Sequence, residues 1–295
     1  MTNEDQLYKT GMGNWKHLAI NLDSIFEAAE DWKARIAPIK KPWLVWNVDS
    51  SWCLLQQKLV SYAGWTPVVG FDPRVGVPEL LPESVLVDFN KQLKLPIMLP
   101  HFPLEFAFLF TDKIAFWHSD LLVRKEKLTE ISRTFDELKD GATCATYSGT
   151  PFRRLLRRFT NRKQQRYWEL IGCTTRSASK SQFENGCGWW MNFVDHVNFR
   201  GEKSGHYWDH GAGIYYWERY CGGTVVPIWV KAVDEGHFSQ TRVTEYQRLS
   251  PNNHRRNLFL DINHNFNLRT CAESMGLGEF VDNRDRSGQP DQKPF

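Results

Sequence analysis

Between Trp43 and Phe71 the chain sets out one unit that constrains most of the architecture. Trp43-Leu44-Val45-Trp46-Asn47-Val48 is an apolar run of strand length. Trp52 to Tyr62 carries apolar residues at helical spacing, with Ser50 and Ser51 placed to cap it and Gly64 placed to end it. Thr66-Pro67-Val68-Val69-Gly70-Phe71 is a second strand-like run. Strands buried on both faces read as unbroken apolar runs, so strand, helix, strand at this spacing predicts a parallel α/β sheet with a right-handed crossover. Ligands of such sheets collect beyond the carboxyl ends of the strands, and Asp49 and Asp72 both fall there.

The rest of the chain extends this pattern. An amphipathic helix near Leu22 to Ile36 precedes the break at Lys40-Lys41-Pro42, which sets residues 1–41 apart as an N-terminal helical extension. From Asp72 to Pro103 prolines recur and periodicity is weak, apart from a strand-like Ser84 to Phe89. Phe102 to Phe110 reads as a compact apolar helix and Lys113 to Trp117 as a strand that runs straight into His118-Ser119-Asp120. After it come Leu121-Leu122-Val123, a charged helix from Lys125 to Leu138 and a strand from Ala142 to Tyr147. Gly172 to Trp190 is polar and aromatic with no clear period. Ile214 to Tyr220 is helical, and Thr224 to Ile228 is a strand after Gly222-Gly223. Residues 42–245 are thus expected to form the α/β domain, and residues 246–295 a C-terminal appendage with a polar tail.

Composition removes several classes. The 37 basic and 34 acidic side chains leave a net charge of only +3, so bulk charge selects no polyanionic partner. The 6 cysteines form no CxxC pair and no dense framework, which predicts reduced thiols in a cytoplasmic protein. The start is polar and acidic where an export signal is basic then apolar, and no apolar run approaches the roughly 18 residues of a membrane span, so neither export nor membrane spanning is expected. Charge is concentrated in one place: Phe152, Leu155, Leu156 and Phe159 share a helical face, while basic residues from Arg153 to Arg166 occupy the other. That face is suited to solvent, to a phosphate-rich acceptor, or to peripheral contact with an anionic membrane surface. The 13 tryptophans serve equally as core and as platforms for sugars or bases.

Two motifs carry chemistry. When a sugar leaves a nucleotide donor, the departing diphosphate gains negative charge, which a divalent cation held by one or two carboxylates offsets while keeping positions for phosphate oxygens. His118 and Asp120, two apart at a strand end, suit that task, the alternative for Asp120 being to cap the helix after it. The second motif is Tyr207-Trp208-Asp209-His210-Gly211, ahead of a helix that exits through glycine into a strand. An acceptor hydroxyl attacking an anomeric carbon needs a carboxylate or imidazole held beside the sugar to take its proton, and the motif contains both types, with helix capping as the plainer role of Asp209. His206 and His210 stand four apart, yet Tyr207 replaces the glutamate a zinc protease would need. Neither a GxSxG elbow nor a phosphate-binding GxxxxGK loop is present.

From about Trp43 to Phe238 these features resemble the GT-A class of nucleotide-sugar glycosyltransferases, in which a D-x-D motif ends an inner strand and is followed by apolar residues and a helix. The resemblance implies a Rossmann-like α/β fold, a mixed, mostly parallel sheet flanked by helices. It implies a nucleoside-diphosphate sugar as donor, with Asp49 or Asp72 at base or ribose and Asp120 at the diphosphate. It also implies a metal bound by His118, Asp120 and His237, Asp209 as base of an inverting transfer, and Trp189, Trp190 and His210 near the acceptor. The chain departs from that pattern in having His118 where the first acid stands, which favours Mn2+ over Mg2+. The acceptor is a glycan, a lipid-linked sugar or a modified nucleic-acid base. Two other classes stand beside this one: a nucleic-acid-binding protein using residues 152–166, and a noncatalytic glycan-binding module with tryptophan platforms.

Overall fold

The computed structural model describes residues 22–95, 98–147, 167–189, 211–230, 235–237 and 268–281. The opening unit forms as expected: β1 (Pro42–Asn47), α2 (Ser50–Tyr62) and β2 (Thr66–Phe71), with β1 and β2 parallel and in register from Pro42 opposite Thr66 to Asn47 opposite Phe71. Ahead of it lies α1 (Leu22–Ile36). The cap differs from expectation. Asp49, with extended backbone, accepts from the amides of Ser51 and Trp52, so the carboxylate takes the role assigned to the serines.

Downstream come the short edge strand β3 (Val85–Leu86), α3 (His101–Leu104), α4 (Ala107–Phe110), β4 (Lys113–Trp117), β5 (Leu121–Val123), α5 (Lys125–Asp136) and β6 (Ala142–Tyr147). The helix expected over Phe102 to Phe110 is therefore two short turns broken at Glu105 and Phe106. The strand expected over Ser84 to Phe89 pairs at only two residues. β7 (Tyr167–Thr175) and α6 (Arg176–Glu184) fill much of the stretch where no period is legible. Next are α7 (Ala212–Tyr220), β8 (Thr224–Ile228), β9 (Glu235–His237) and α8 (Leu268–Ser274). The basic segment from Arg153 to Arg166 lies outside the described residues.

The main sheet has seven strands in the order β3-β2-β1-β4-β7-β6-β8, and β5 pairs with β9 in a separate two-stranded ribbon. All neighbours in the main sheet run parallel except β7, which is antiparallel to both β4 and β6. The class is thus mixed α/β with a mostly parallel sheet between helices.

Alternation along the strands divides the core into two layers. Leu44, Trp46, Ile114 and Phe116 face a cluster completed by α1, α4, α6 and α7 through Trp32, Phe110, Ala178 and Trp217. Trp43, Val45, Ala115 and Trp117 face the other, completed by α2, α5 and α8 through Leu59, Phe135 and Cys271. Helices from both the N-terminal and the C-terminal segments thus share these layers. Among the described residues no helix is long and apolar enough to cross a membrane.

Candidate functional site

In this sheet β1 connects outward to β2, while β4 lies on its other side, so the direction of winding reverses between β1 and β4. At such a switch point the loops leaving the two carboxyl ends part and form a crevice. The loop leaving β1 begins Val48-Asp49, and the one leaving β4 is His118-Ser119-Asp120.

The turn after β4 is tightly specified. His118 N–H donates to Leu170 O at 2.8 Å, which continues the ladder with β7 one residue past the strand. Leu121 N–H then donates to His118 O at 3.1 Å, closing a four-residue turn over Ser119 and Asp120. Gln56, fully buried on α2, donates through Nε2 to His118 O at 2.7 Å and to Leu121 O at 2.9 Å, clamping both ends of that turn. Inside it, His118 Nδ1 lies 3.0 Å from Asp120 Oδ1, with the imidazole 26% exposed and the carboxylate 9%. When the imidazole is neutral, a carboxylate at Nδ1 selects the tautomer with its proton on Nδ1 and its lone pair on Nε2, the form suited to ligation or to accepting a proton. Asp120 is not a helix cap: α5 begins at Lys125, with Arg124 in the capping position.

The other aspartates at strand ends are engaged differently. Asp72 is fully buried and accepts from Arg74 Nε at 2.8 Å, from Arg74 Nη2 at 3.1 Å and from the Arg74 amide at 2.9 Å. It is the bidentate anchor of the loop after β2, so a direct contact with base or ribose is not what its surroundings provide. Asp49 is occupied by the cap of α2. Gln57, next to Gln56, holds the same β2–β3 loop: its Nε2 donates to Glu79 O at 2.9 Å and its Oε1 accepts from Leu81 N–H at 3.0 Å. Adjacent glutamines on one helix therefore fix two different loops at the sheet edge.

β9 brings a further expected residue to the turn. β5 and β9 are antiparallel with Leu121 opposite His237 and Val123 opposite Glu235, so the backbone of His237 stands across from the residue that comes after Asp120.

Two residues with no place in the sequence-based site lie behind the turn. His101 is buried, its ring centroid 6.1 Å from that of His118. One helical turn later Glu105 is also buried, and its carboxylate fills the space a Cβ at Gly188 would need. Their signal in the sequence is faint: two ionisable residues inside an otherwise apolar, proline-containing stretch. Gln56 and Gln57 give a clearer one, polar amides on the apolar face of Trp52 to Tyr62.

The expected acceptor side is in part core. Trp189 is 1% exposed, with its ring edge-on to Phe116 of β4 at 4.5 Å, so it packs the layer beneath the turn and is not a platform for a sugar. Trp190, Asp209 and His210 lie outside the described residues. The next residue, Gly211, adopts a left-handed φ of 90°, occupies the N-cap of α7 and donates its N–H to Trp189 O at 2.9 Å. Gly213 in the first turn of α7 packs directly on the backbone of Gly188.

Among the described residues no three His, Cys, Asp or Glu side chains converge on a point that would hold a metal ion. His118 and Asp120 supply one imidazole and one carboxylate, a donor pair that fits manganese better than magnesium. No family model matches the chain, and no curated protein or solved structure matches it either.

Proposed function

We propose that the chain is a nucleotide-sugar-dependent glycosyltransferase of the GT-A class, with its donor site at the turn His118-Ser119-Asp120. The observation that carries this reading is the placement of the His118–Asp120 pair. It ends β4, an inner strand of a mostly parallel sheet, at the switch point with β1, and leads into apolar β5 and then α5. That order of parts is the one the sequence shares with the GT-A class. The exit of α7 through Gly222 into β8 matches the second shared pattern, in which an acidic motif precedes a helix that leads through glycine into a strand.

In this reading His118 and Asp120, joined by His237 from β9, would hold a divalent cation, which would supply positive charge to the departing diphosphate. Gln56 holds the backbone of the turn that carries both side chains. Asp209, two residues before the anchored Gly211, takes the proton of the acceptor hydroxyl in an inverting transfer. The acceptor class favoured by charge is one bearing phosphate, a lipid-linked sugar or nucleic acid. The connection between Tyr147 and Tyr167 carries the basic residues, and both its ends lie at the carboxyl edge, their rings 5.4 Å apart.

The test is a panel of nucleoside-diphosphate sugars screened by thermal shift with and without Mn2+. One donor should stabilise the protein in a manganese-enhanced manner, and Asp120→Ala should abolish the response. Absence of any donor response in the wild-type protein overturns the reading. Asp209→Asn should keep donor binding and lose most transfer, whereas near wild-type transfer would remove Asp209 as the base.

A further inference from the structure

Cys187 and Cys221 lie with their sulfurs 3.9 Å apart, although they are separated by a long stretch of chain. Cys187 comes just after the left-handed Gly186 at the end of α6 and is fully buried, its Sγ 3.1 Å from Asn185 O. Cys221 terminates α7 and is half-buried, its N–H donating to Trp217 O, with the exposed Gly222 beside it. All the cysteines described are reduced thiols. A disulfide requires the two sulfurs to close to about 2.05 Å. The present separation is within reach of side-chain rotation at a helix terminus that ends in two glycines.

We propose that Cys187 and Cys221 form a reversible disulfide when the protein meets a hydroperoxide. Exposure orders the steps. Cys221 is reachable, so its thiolate sulfur attacks the peroxide oxygen, breaks the O–O bond and becomes a sulfenic acid as the peroxide departs as an alcohol or as water. The Cys187 sulfur then attacks the Cys221 sulfur, the S–O bond breaks, and the released hydroxide takes up the Cys187 proton. Two thiols are oxidised, one peroxide is reduced, and water is the remaining product. Burial, with help from the neighbouring Cys221 and Glu105, pushes the Cys187 thiol well above the usual range, so it is inert as first nucleophile and acts only on a partner already in contact.

The bond would pin the segment from Cys187 to Trp189 along α7, where Gly188 already meets Gly213 and Trp189 meets Phe116 two residues before His118. A built-in comparison exists. Cys144 and Cys173 face one another in register across β6 and β7, but both are buried and burial holds their thiols high, about 12 for Cys144. They are expected to stay reduced.

The test needs no substrate, so it stands or falls apart from the glycosyltransferase reading. The full chain is treated with a small molar excess of hydrogen peroxide, quenched with iodoacetamide and analysed by peptide mass mapping. Free thiols should fall from 6 to 4, with a single 187–221 cross-link that dithiothreitol reverses. The cross-linked protein should unfold roughly 5–10 °C higher, as expected for closing a loop of this length. Cys187→Ser and Cys221→Ser should each prevent the cross-link. Over-oxidation of Cys221 without a cross-link, or a bond between Cys144 and Cys173 in its place, overturns the proposal.

Discussion

Asp72 and Asp120 occupy equivalent places, each just past the carboxyl end of a parallel strand, yet they do different work. Asp72 is sealed inside the protein with Arg74 on both oxygens, and its loop is held again by Gln57. Asp120 hydrogen-bonds a partly exposed imidazole, and its turn is held by Gln56 through backbone carbonyls. One carboxylate is engaged by a guanidinium inside the protein, the other by an imidazole that reaches solvent. An acidic residue at a strand end thus says little until its partner is known.

The contrast yields an ordered set of expectations. Asp72→Ala leaves Arg74 nearly buried without its carboxylate, a loss of roughly 3–5 kcal/mol in urea unfolding, while any manganese response of the folded fraction at low temperature stays as in wild type. A smaller loss with altered metal response would place Asp72 in the site. Gln56→Met and Gln57→Met form a matched pair, each removing a buried amide that fixes a loop, at about 1–3 kcal/mol. Gln56→Met alone should weaken manganese-dependent donor stabilisation, by roughly tenfold in apparent affinity, the equivalent of about 1.4 kcal/mol. Equal metal responses from the two variants would reduce Gln56 to scaffolding. Asp49→Ala should cost about 1 kcal/mol through loss of the α2 cap and leave ligand response untouched. Asp120→Asn should have the smallest effect on unfolding, about 1 kcal/mol or less, together with complete loss of the manganese-dependent donor response, the signature of a residue kept for function and not for stability.

The parts of this architecture that could be read from the chain are those where hydropathy and geometry agree. β1, α2 and β2 are such a case, as are β4 and the turn after it, because strands buried on both faces are apolar throughout. β7 and α6 were hidden because several of their contacts with neighbouring elements are polar. Thr174 hydrogen-bonds Thr143 at 2.9 Å, Thr143 accepts from Gln182 at 2.8 Å, and the buried Ser179 accepts from the Phe108 amide at 3.2 Å. Such satisfied polar contacts carry no apolar period for a sequence reading to find. The His118–Asp120 pair was legible as a motif, whereas its internal hydrogen bond and its clamp by Gln56 depend on packing between residues far apart in sequence. The role of Trp189 stayed open in the sequence because an indole is equally at home in a core and on a binding platform.

The meeting of Gly188 with Glu105 on one side and Gly213 on the other has a consequence for how such a chain can change over time. A methyl group added at Gly213 would strike a main-chain carbonyl, an obstacle that no exchange of side chains elsewhere can remove. Drift is therefore closed at this crossing while surface positions of α5 and α6 remain open to it. Gly213, with nothing to contribute chemically, becomes one of the least replaceable residues in the molecule.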